Sequence, residues 1–282
     1  MKALGEILKL STKYLDDQKI SRARRDAEEI IAAVLGKKRI DLYLEFDRPM
    51  QESELEKIRV LMKRRAKGEP LQYILGSVEF FGCRLQISSD VLIPRQETEI
   101  LLYKACQFLE KFDLTDKVAW DICSGSGCLG IALKKKFPAL RVSLSDYSSK
   151  ALQIAKKNAE ENGVEVEILE GDLLKPFSGK KADFIFCNPP YITLGEYELL
   201  EKEVKDFEPR MALVGGVSGL EYYERLAKEL PEYIKPGAKI FFEIGKDQGK
   251  SIIEIFSSPF WKTKVVEKDW SGHNRFFFLE IE

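Results

Sequence analysis

The 282-residue chain has a single histidine, His273, and its five cysteines (Cys83, Cys106, Cys123, Cys128 and Cys187) include no C-x-x-C pair. Without paired Cys or His ligands there is no zinc constellation, and no metal site is expected. Reduced thiols in a cytoplasmic protein are the simpler reading. No apolar run approaches the ~20 residues that a membrane-spanning helix needs. The start, Met1-Lys2-Ala3-Leu4-Gly5-Glu6, has neither a long apolar stretch nor a cleavage signal. No membrane partner is therefore expected. A strong charge of one sign is also missing: the formal net charge is -1, which excludes the global basic field that drives binding to nucleic acid. The balance is uneven, with 17 basic against 13 acidic residues over 1–70 (+4) and 28 against 33 over the rest (-5). Solvated helix faces account for that asymmetry, and so would a mildly basic surface facing an acidic partner.

What is present is a soluble-enzyme composition, 44% hydrophobic and 32% charged, in a chain long enough for one α/β domain and a smaller companion. Over residues 1–70, Leu4, Ile7, Leu8, then Ile30, Ile31, Val34, Leu35, then Leu55, Ile58, Leu61, Met62 recur at helical spacing. Gly36 reads as a helix C-terminal signal, and Ser53 with Glu56 as a capping box. Gly68-Glu69-Pro70 interrupts the pattern. Residues 72–93 are rich in β-formers on either side of Gly82, which predicts a hairpin linker over 71–93. Glu97 and Glu99 fit the first turn of a following helix, where acids favour the dipole. From residue 117 strand and helix patterns alternate to the C-terminus, so 94–282 is expected to form a mostly parallel, doubly wound sheet flanked by helices. Ligands in such sheets bind beyond the carboxyl ends of the strands.

Two segments carry chemistry. The first is Asp121-Ile122-Cys123-Ser124-Gly125-Ser126-Gly127-Cys128-Leu129-Gly130. Gly125, Gly127 and Gly130 satisfy G-x-G-x-x-G between a strand and a helix, where a ligand can approach the backbone. Asp146, 16 residues on at the end of the next strand, is placed to bond ribose hydroxyls, though an acid there also suits a helix start. Asp172 and Leu173, after the third strand, are candidates for the far end of a nucleoside; alone, Asp172 reads equally as a turn residue. A dinucleotide-dependent dehydrogenase fits this half of the pattern.

The second segment, Asn188-Pro189-Pro190-Tyr191, ends the strand Ala182-Asp183-Phe184-Ile185-Phe186-Cys187. Two prolines stiffen the turn. Asn188 offers a side-chain carbonyl and Tyr191 a flat ring. An amide or conjugated amine nitrogen is a poor nucleophile because its lone pair is delocalised. The Asn188 side chain and the Pro189 carbonyl would accept its two N–H groups, aim the lone pair and stabilise the charge developing on nitrogen. Hydride transfer has no use for such a clamp; methyl transfer from S-adenosylmethionine, leaving S-adenosylhomocysteine, does.

Taken together, these motifs resemble those of the bacterial release-factor glutamine methyltransferases, which methylate the N5 amide of the glutamine in the Gly-Gly-Gln motif of peptide-chain release factors. The likeness runs through Gly68-Glu69-Pro70-Leu71-Gln72-Tyr73-Ile74-Leu75-Gly76, Phe80-Phe81-Gly82, and Val91-Leu92-Ile93-Pro94-Arg95-Gln96-Glu97-Thr98-Glu99. It continues in the glycine loop, Asn188-Pro189-Pro190-Tyr191, Glu208-Pro209 with Ala212-Leu213, Gly215-Gly216, Gly219-Leu220 and Glu243-Ile244-Gly245. The resemblance implies a seven-stranded class I S-adenosylmethionine-dependent methyltransferase fold (α/β, Rossmann-like) over 94–282. It also implies a helical substrate-recognition domain over 1–70 and the hairpin between them. Asp121, Cys123, Gly125 and Gly127 would then line the methionine side of the cofactor, with Asp146 on the ribose and Asp172 and Leu173 near the adenine. Asn188, which would also touch the cofactor, would hold the substrate amide with Pro189, Pro190 and Tyr191. Arg95, in the covering Pro94–Thr98 stretch, would touch the substrate. A monomer acting on release factors is implied, with no nucleic-acid substrate. The chain departs from the family pattern in having Cys123 for Gly and Gln96 for Pro; Cys123 is small enough to keep the turn if its φ is negative.

Two other readings use the same residues. A nucleic-acid methyltransferase acting on adenine N6 or guanine N2 suits the clamp, but the near-neutral charge and the absence of a separate basic domain argue against it. A non-catalytic adaptor has no need of both an intact glycine loop and an intact Asn-Pro-Pro-Tyr turn.

Overall fold

A computed structural model describes residues 2–282. Two compact units emerge: the chain up to Ser77 together with Glu201–Phe207, and Val78–Leu200 together with Glu208–Glu282. Seven residues from the C-terminal half of the chain thus belong with the helical unit, an exchange that no local pattern announces.

The first unit contains α1 (Leu4–Asp17), α2 (Ala23–Leu35), α3 (Arg39–Leu44), α4 (Glu52–Ala66) and α5 (Leu71–Leu75). The periodic residues Leu4, Ile7 and Leu8 of α1, Ile30 and Ile31 of α2, and Leu55, Ile58 and Met62 of α4 form one buried core. Gly36 caps α2 with φ +64°. The capping pair of α4 differs from expectation. Glu54 accepts from the Gln51 backbone N–H at 2.9 Å, which starts the helix at Glu52 and puts Ser53 inside the first turn. Arg65, buried, donates to Asp26 at 2.6 Å and pairs with Glu203 of the returning segment at 2.9 Å. Residues 72–75, expected to be β-rich, are helical instead: Pro70 opens α5 and Gly76 (φ +75°) closes it, so Ile74 joins the helical core.

From Val78 the chain is in the second unit, where β1 (Ser77–Phe80, but for its first residue) and β2 (Cys83–Gln86) form the hairpin. Phe81 and Gly82 both have positive φ, as a two-residue primed turn requires. Helix α6 (Gln96–Leu109) follows, and its Glu99 carboxylate accepts the Phe81 N–H at 2.7 Å; this acid pins the hairpin as well as favouring the dipole. Then come β3 (Val118–Ile122), α7 (Cys128–Lys136), β4 (Arg141–Asp146), α8 (Ser149–Glu161), β5 (Glu167–Glu170) and β6 (Ala182–Cys187). They are followed by β7 (Ile192–Thr193), α9 (Leu194–Glu198), α10 (Lys202–Phe207), α11 (Arg210–Leu213) and β8 (Val214–Gly216). The chain closes with α12 (Glu221–Glu229), β9 (Ile234–Glu243), α13 (Gly249–Ile255), β10 (Thr263–Lys268) and β11 (Asn274–Glu280). Of these, α10 is the segment that belongs with the helical unit.

Seven strands make one sheet in the order β10-β11-β9-β6-β3-β4-β5. Only β11 runs against its neighbours. Alternation sends Phe241, Phe276 and Phe278 into the core on one face, and Ile240, Phe242, Phe277 and Leu279 into the core on the other. Every residue of β6 is buried, as a parallel strand covered on both faces should be. The chain order reverses beside β3, so β3, β4 and β6 open their carboxyl ends at the switch point where ligands bind. β7 and β8 pair separately, in parallel, just past that edge.

Candidate active site

The glycine loop leaves β3 and is held by backbone hydrogen bonds within itself and to β4. Ser124 N–H donates to the Ser145 carbonyl at 3.0 Å and Gly127 N–H to the Ser124 carbonyl at 2.8 Å. Asp146, at the end of β4, accepts from Gly125 N–H at 2.8 Å and from Ser148 N–H at 2.9 Å. Asp121, buried at the end of β3, accepts from Gly130 N–H at 2.9 Å. Gly130 permits that approach: a Cβ there would lie 2.1 Å from Leu144. Gly127 has φ +80° and opens α7. Cys123 does not meet the condition of a negative φ. Its φ is +59°, a left-handed conformation that costs a non-glycine residue roughly 1–2 kcal/mol.

A cavity of about 340 Å³ lies over these strand ends. Its wall includes Asp121, Cys123, Gly125, Asp146, Asp172, Leu173, Asn188 and Pro190, so most of the residues singled out in the sequence meet in one place. Gly127 stands behind the wall, packed toward Ile131, Leu144 and Ala155. Pro189, Tyr191 and Arg95 are not among the lining residues. Arg95 is paired with the buried carboxylate of Glu208, which also accepts the Ile93 N–H at 3.2 Å. The guanidinium therefore ties the 93–95 segment to Glu208-Pro209. Asp172 accepts from Arg225 at 2.8 Å and Lys175 at 2.9 Å; the Arg225 hydrogen bond holds its carboxyl below the usual range.

The Asn-Pro-Pro-Tyr turn is braced from below. Gln248 donates to the carbonyls of Tyr191 and Gly219, both at 3.0 Å, and takes the Gly245 N–H at 2.8 Å. Gly215 lies so close that a Cβ would sit 2.4 Å from the Pro190 carbonyl oxygen. Two residues to which the residue-level reading assigned no role stand beside the turn. Thr98 Oγ1 donates to Glu243 at 2.6 Å and lies 3.4 Å from Asn188 Nδ2. The Tyr191 hydroxyl is 3.4 Å from the other Glu243 oxygen. Thr98 and Glu243 are 3% and 1% exposed, and burial pushes the Glu243 carboxyl up to about 7. The available signal was an acid ending the otherwise apolar run Ile240-Phe241-Phe242.

The wall offers carboxyls and hydroxyls to a polar ligand. Burial pushes the Asp121 carboxyl up to about 7, and a cation beside it would favour its ionised form. The Ser124 and Ser145 hydroxyls, both on the wall, are buried without a hydrogen-bond partner, as groups awaiting a polar ligand would be. Among the described residues no cluster of acids, cysteines or histidine is arranged to hold a metal, and no helix is long and apolar enough to cross a membrane.

The strand order, the loop after β3 and the cavity over the switch point define a class I methyltransferase fold. The crystal structure of a methyltransferase from Pyrococcus furiosus has this fold too, with a TM-score of 0.52 at 18% identity over 80% of this chain and 98% of that one. A T. thermophilus 16S rRNA N2 G1207 methyltransferase, solved with AdoMet and guanosine, gives 0.53 at 15% identity over 73% of this chain and 50% of that one. Residues 6–76 match the model of the PrmC N-terminal domain and residues 101–205 that of the methyltransferase small domain. The release factor glutamine methyltransferase of Geobacter sulfurreducens is 39% identical over 96% of this chain and 94% of its own length. That of Bacillus subtilis is 35% identical over 98% and 96%. The chain belongs to the release factor glutamine methyltransferase family.

Proposed function

We propose that the protein transfers a methyl group from S-adenosylmethionine to the side-chain amide nitrogen of the Gly-Gly-Gln glutamine in peptide-chain release factors. The observation that carries this reading is the stiff Asn188-Pro189-Pro190-Tyr191 turn opening on the same cavity as the glycine loop; the family membership supports it. S-adenosylmethionine, when bound, supplies an electrophilic methyl group. Asp121 and the Gly125 loop hold its methionine part, Asp146 its ribose, and Asp172 with Leu173 the neighbourhood of its adenine. Asn188 Oδ1 and the Pro189 carbonyl accept the two amide N–H groups, which localises the nitrogen lone pair and stabilises the charge developing there. Pro190 limits the turn's motion, and Tyr191 packs beside the reacting amide. Arg95, through Glu208, keeps the covering 93–95 segment in place. One N–H proton of the methylated amide leaves to water, and positioning of this kind supplies much of the barrier reduction without a histidine base. The helical unit is the recognition module for the release factor, a monomeric enzyme suffices, and neither a membrane nor a nucleic-acid substrate is involved. Such an enzyme works in the cytoplasm.

The test is transfer of radiolabelled methyl to purified release factor and to its Gln→Ala variant in Gly-Gly-Gln, with ribosomal RNA and duplex DNA in parallel. Label on the factor and none on the variant is the expected result; label on nucleic acid alone overturns the reading. Asn188→Ala is expected to abolish turnover while calorimetry still detects cofactor binding; retained turnover refutes the clamp.

A further inference from the structure

We infer that Thr98 and Glu243 are positioning residues that set which face of the Asn188 amide is presented to the substrate and anchor the Tyr191 ring beside it. The inference rests on the proposed amide clamp and adds to it Thr98, on the cavity wall, and Glu243 behind it, both acting through Asn188 and Tyr191.

A clamp made from an asparagine has an ambiguity. Turned over, its amide offers N–H where the substrate needs a carbonyl, and two N–H groups then face each other. Something must choose the orientation, and the choice lies in the direction of the hydrogen bonds behind it. Ionised Glu243 is an acceptor only, so the Thr98 hydroxyl gives it its one proton, over 2.6 Å. Thr98 Oγ1 then has only lone pairs left, and the group 3.4 Å away must be the Asn188 Nδ2 donor. Asn188 Oδ1 is thereby left for the substrate. The second Glu243 oxygen receives the Tyr191 hydroxyl at 3.4 Å, so one carboxylate orients two members of the turn. Glu243 is itself fixed: its backbone carbonyl accepts the Tyr223 hydroxyl at 2.7 Å.

A buried carboxylate is costly to keep ionised, and among the described residues no cation is directly paired with it. Burial and the nearby Glu97 of α6 disfavour its charge; Arg275 of β11, Thr98 and Tyr191 favour it. Tyr223 of α12 and Cys128 of α7, also close by, are neutral at pH 7 and feel its charge in return. A residue kept only to fill space would cost less as an apolar side chain. Protonation removes the rule that Thr98 must donate to Glu243, because a carboxylic acid can donate to Thr98 instead. The orientation of Asn188 is then no longer imposed, so turnover should fall as pH drops through about 7.

The experiment compares Thr98→Val, Thr98→Ser and Glu243→Gln with the parent protein. Turnover and KM on release factor, cofactor affinity by calorimetry and the pH profile are measured for each. Asparagine side-chain amides are followed by NMR after selective labelling; the chain has four asparagines, and Asn188→Ala assigns the signal. Thr98→Val should lower kcat at least tenfold with cofactor affinity within threefold, Thr98→Ser should recover most of that loss, and Glu243→Gln should lose the acidic limb of the profile. The Asn188 amide signals should shift in Thr98→Val and titrate near pH 7 in the parent but not in Glu243→Gln. Equal losses in Thr98→Val and Thr98→Ser, or Asn188 signals unmoved by Thr98→Val and by pH, overturn the inference. The NMR readout needs no substrate, so an incorrect substrate assignment, seen as no transfer by the parent protein, is distinguishable from failure of the relay.

Discussion

Replacing Gly215 by alanine tests whether the Asn-Pro-Pro-Tyr turn works by being held in place. The added Cβ would lie 2.4 Å from the Pro190 carbonyl oxygen, 3.0 Å from its carbon and 2.9 Å from the Tyr191 Cα. All three are backbone atoms, so no side chain can rotate away. Ordinary contact is about 3.5 Å, which requires the turn to move by roughly 1 Å. A shift of that size at a positioned reacting group costs on the order of 100-fold in rate, whereas overpacking costs about 1–3 kcal/mol of stability. For a domain of this size the latter lowers the melting temperature by roughly 2–4 °C per kcal/mol. The expected outcome is therefore a variant folded at 25 °C, with turnover reduced about 100-fold and a smaller loss of cofactor affinity, because the turn supplies only Asn188 and Pro190 of the cavity wall. Gly195→Ala is the control, since its nearest neighbour would be 3.9 Å away. Turnover in Gly215→Ala within threefold of the parent would refute the reasoning that places this turn's geometry at the centre of the activity.

Other outcomes follow from the loop. Burial raises the Asp121 carboxyl to about 7, so between roughly pH 4 and that value the folded chain holds a proton that the unfolded chain has released. The contribution of Asp121 to stability therefore declines as pH rises through this window and levels off above it. Without methyl donor, the melting temperature of Asp121→Asn relative to the parent should climb from pH 5 to pH 8; a flat or falling difference contradicts the assignment. At Cys123, with φ +59°, glycine relieves strain while adding freedom to the unfolded chain. Urea unfolding should place Cys123→Gly within about 1 kcal/mol of the parent, and β-branched Cys123→Val at least about 1 kcal/mol lower. Equal stability of the two variants would remove backbone conformation as the governing factor.

Much of this architecture is local and so was legible in the residues. The strand–loop–helix around Gly125 and the apolar strand running into Asn188 each carry a period or a turn signal within about ten residues. Their meeting in one cavity follows from the parallel alternation, because successive strands of such a sheet deliver their carboxyl ends to the same edge.

Where local and distant forces competed, the residues alone misled. Residues 72–75 have β-forming side chains, yet Pro70 and Gly76 supply helix ends and the helical core supplies burial for Ile74. Cys123 takes a positive φ, which its short side chain does not reveal. Arg95, which the resemblance sets against the substrate, also pairs with Glu208, 113 residues on, a partner that no local pattern announces. Thr98 and Glu243 are 145 residues apart, and neither has a local reason to be polar. By itself the sequence determined the repeating elements, the stiff turn and the class of chemistry, since periodicity and φ restriction act between neighbours. Only the tertiary structure decided the hydrogen-bond direction at Asn188, the buried charges of Asp121 and Glu243, and the assignment of 201–207 to the helical unit. Those depend on desolvation and on contacts between segments far apart in the chain.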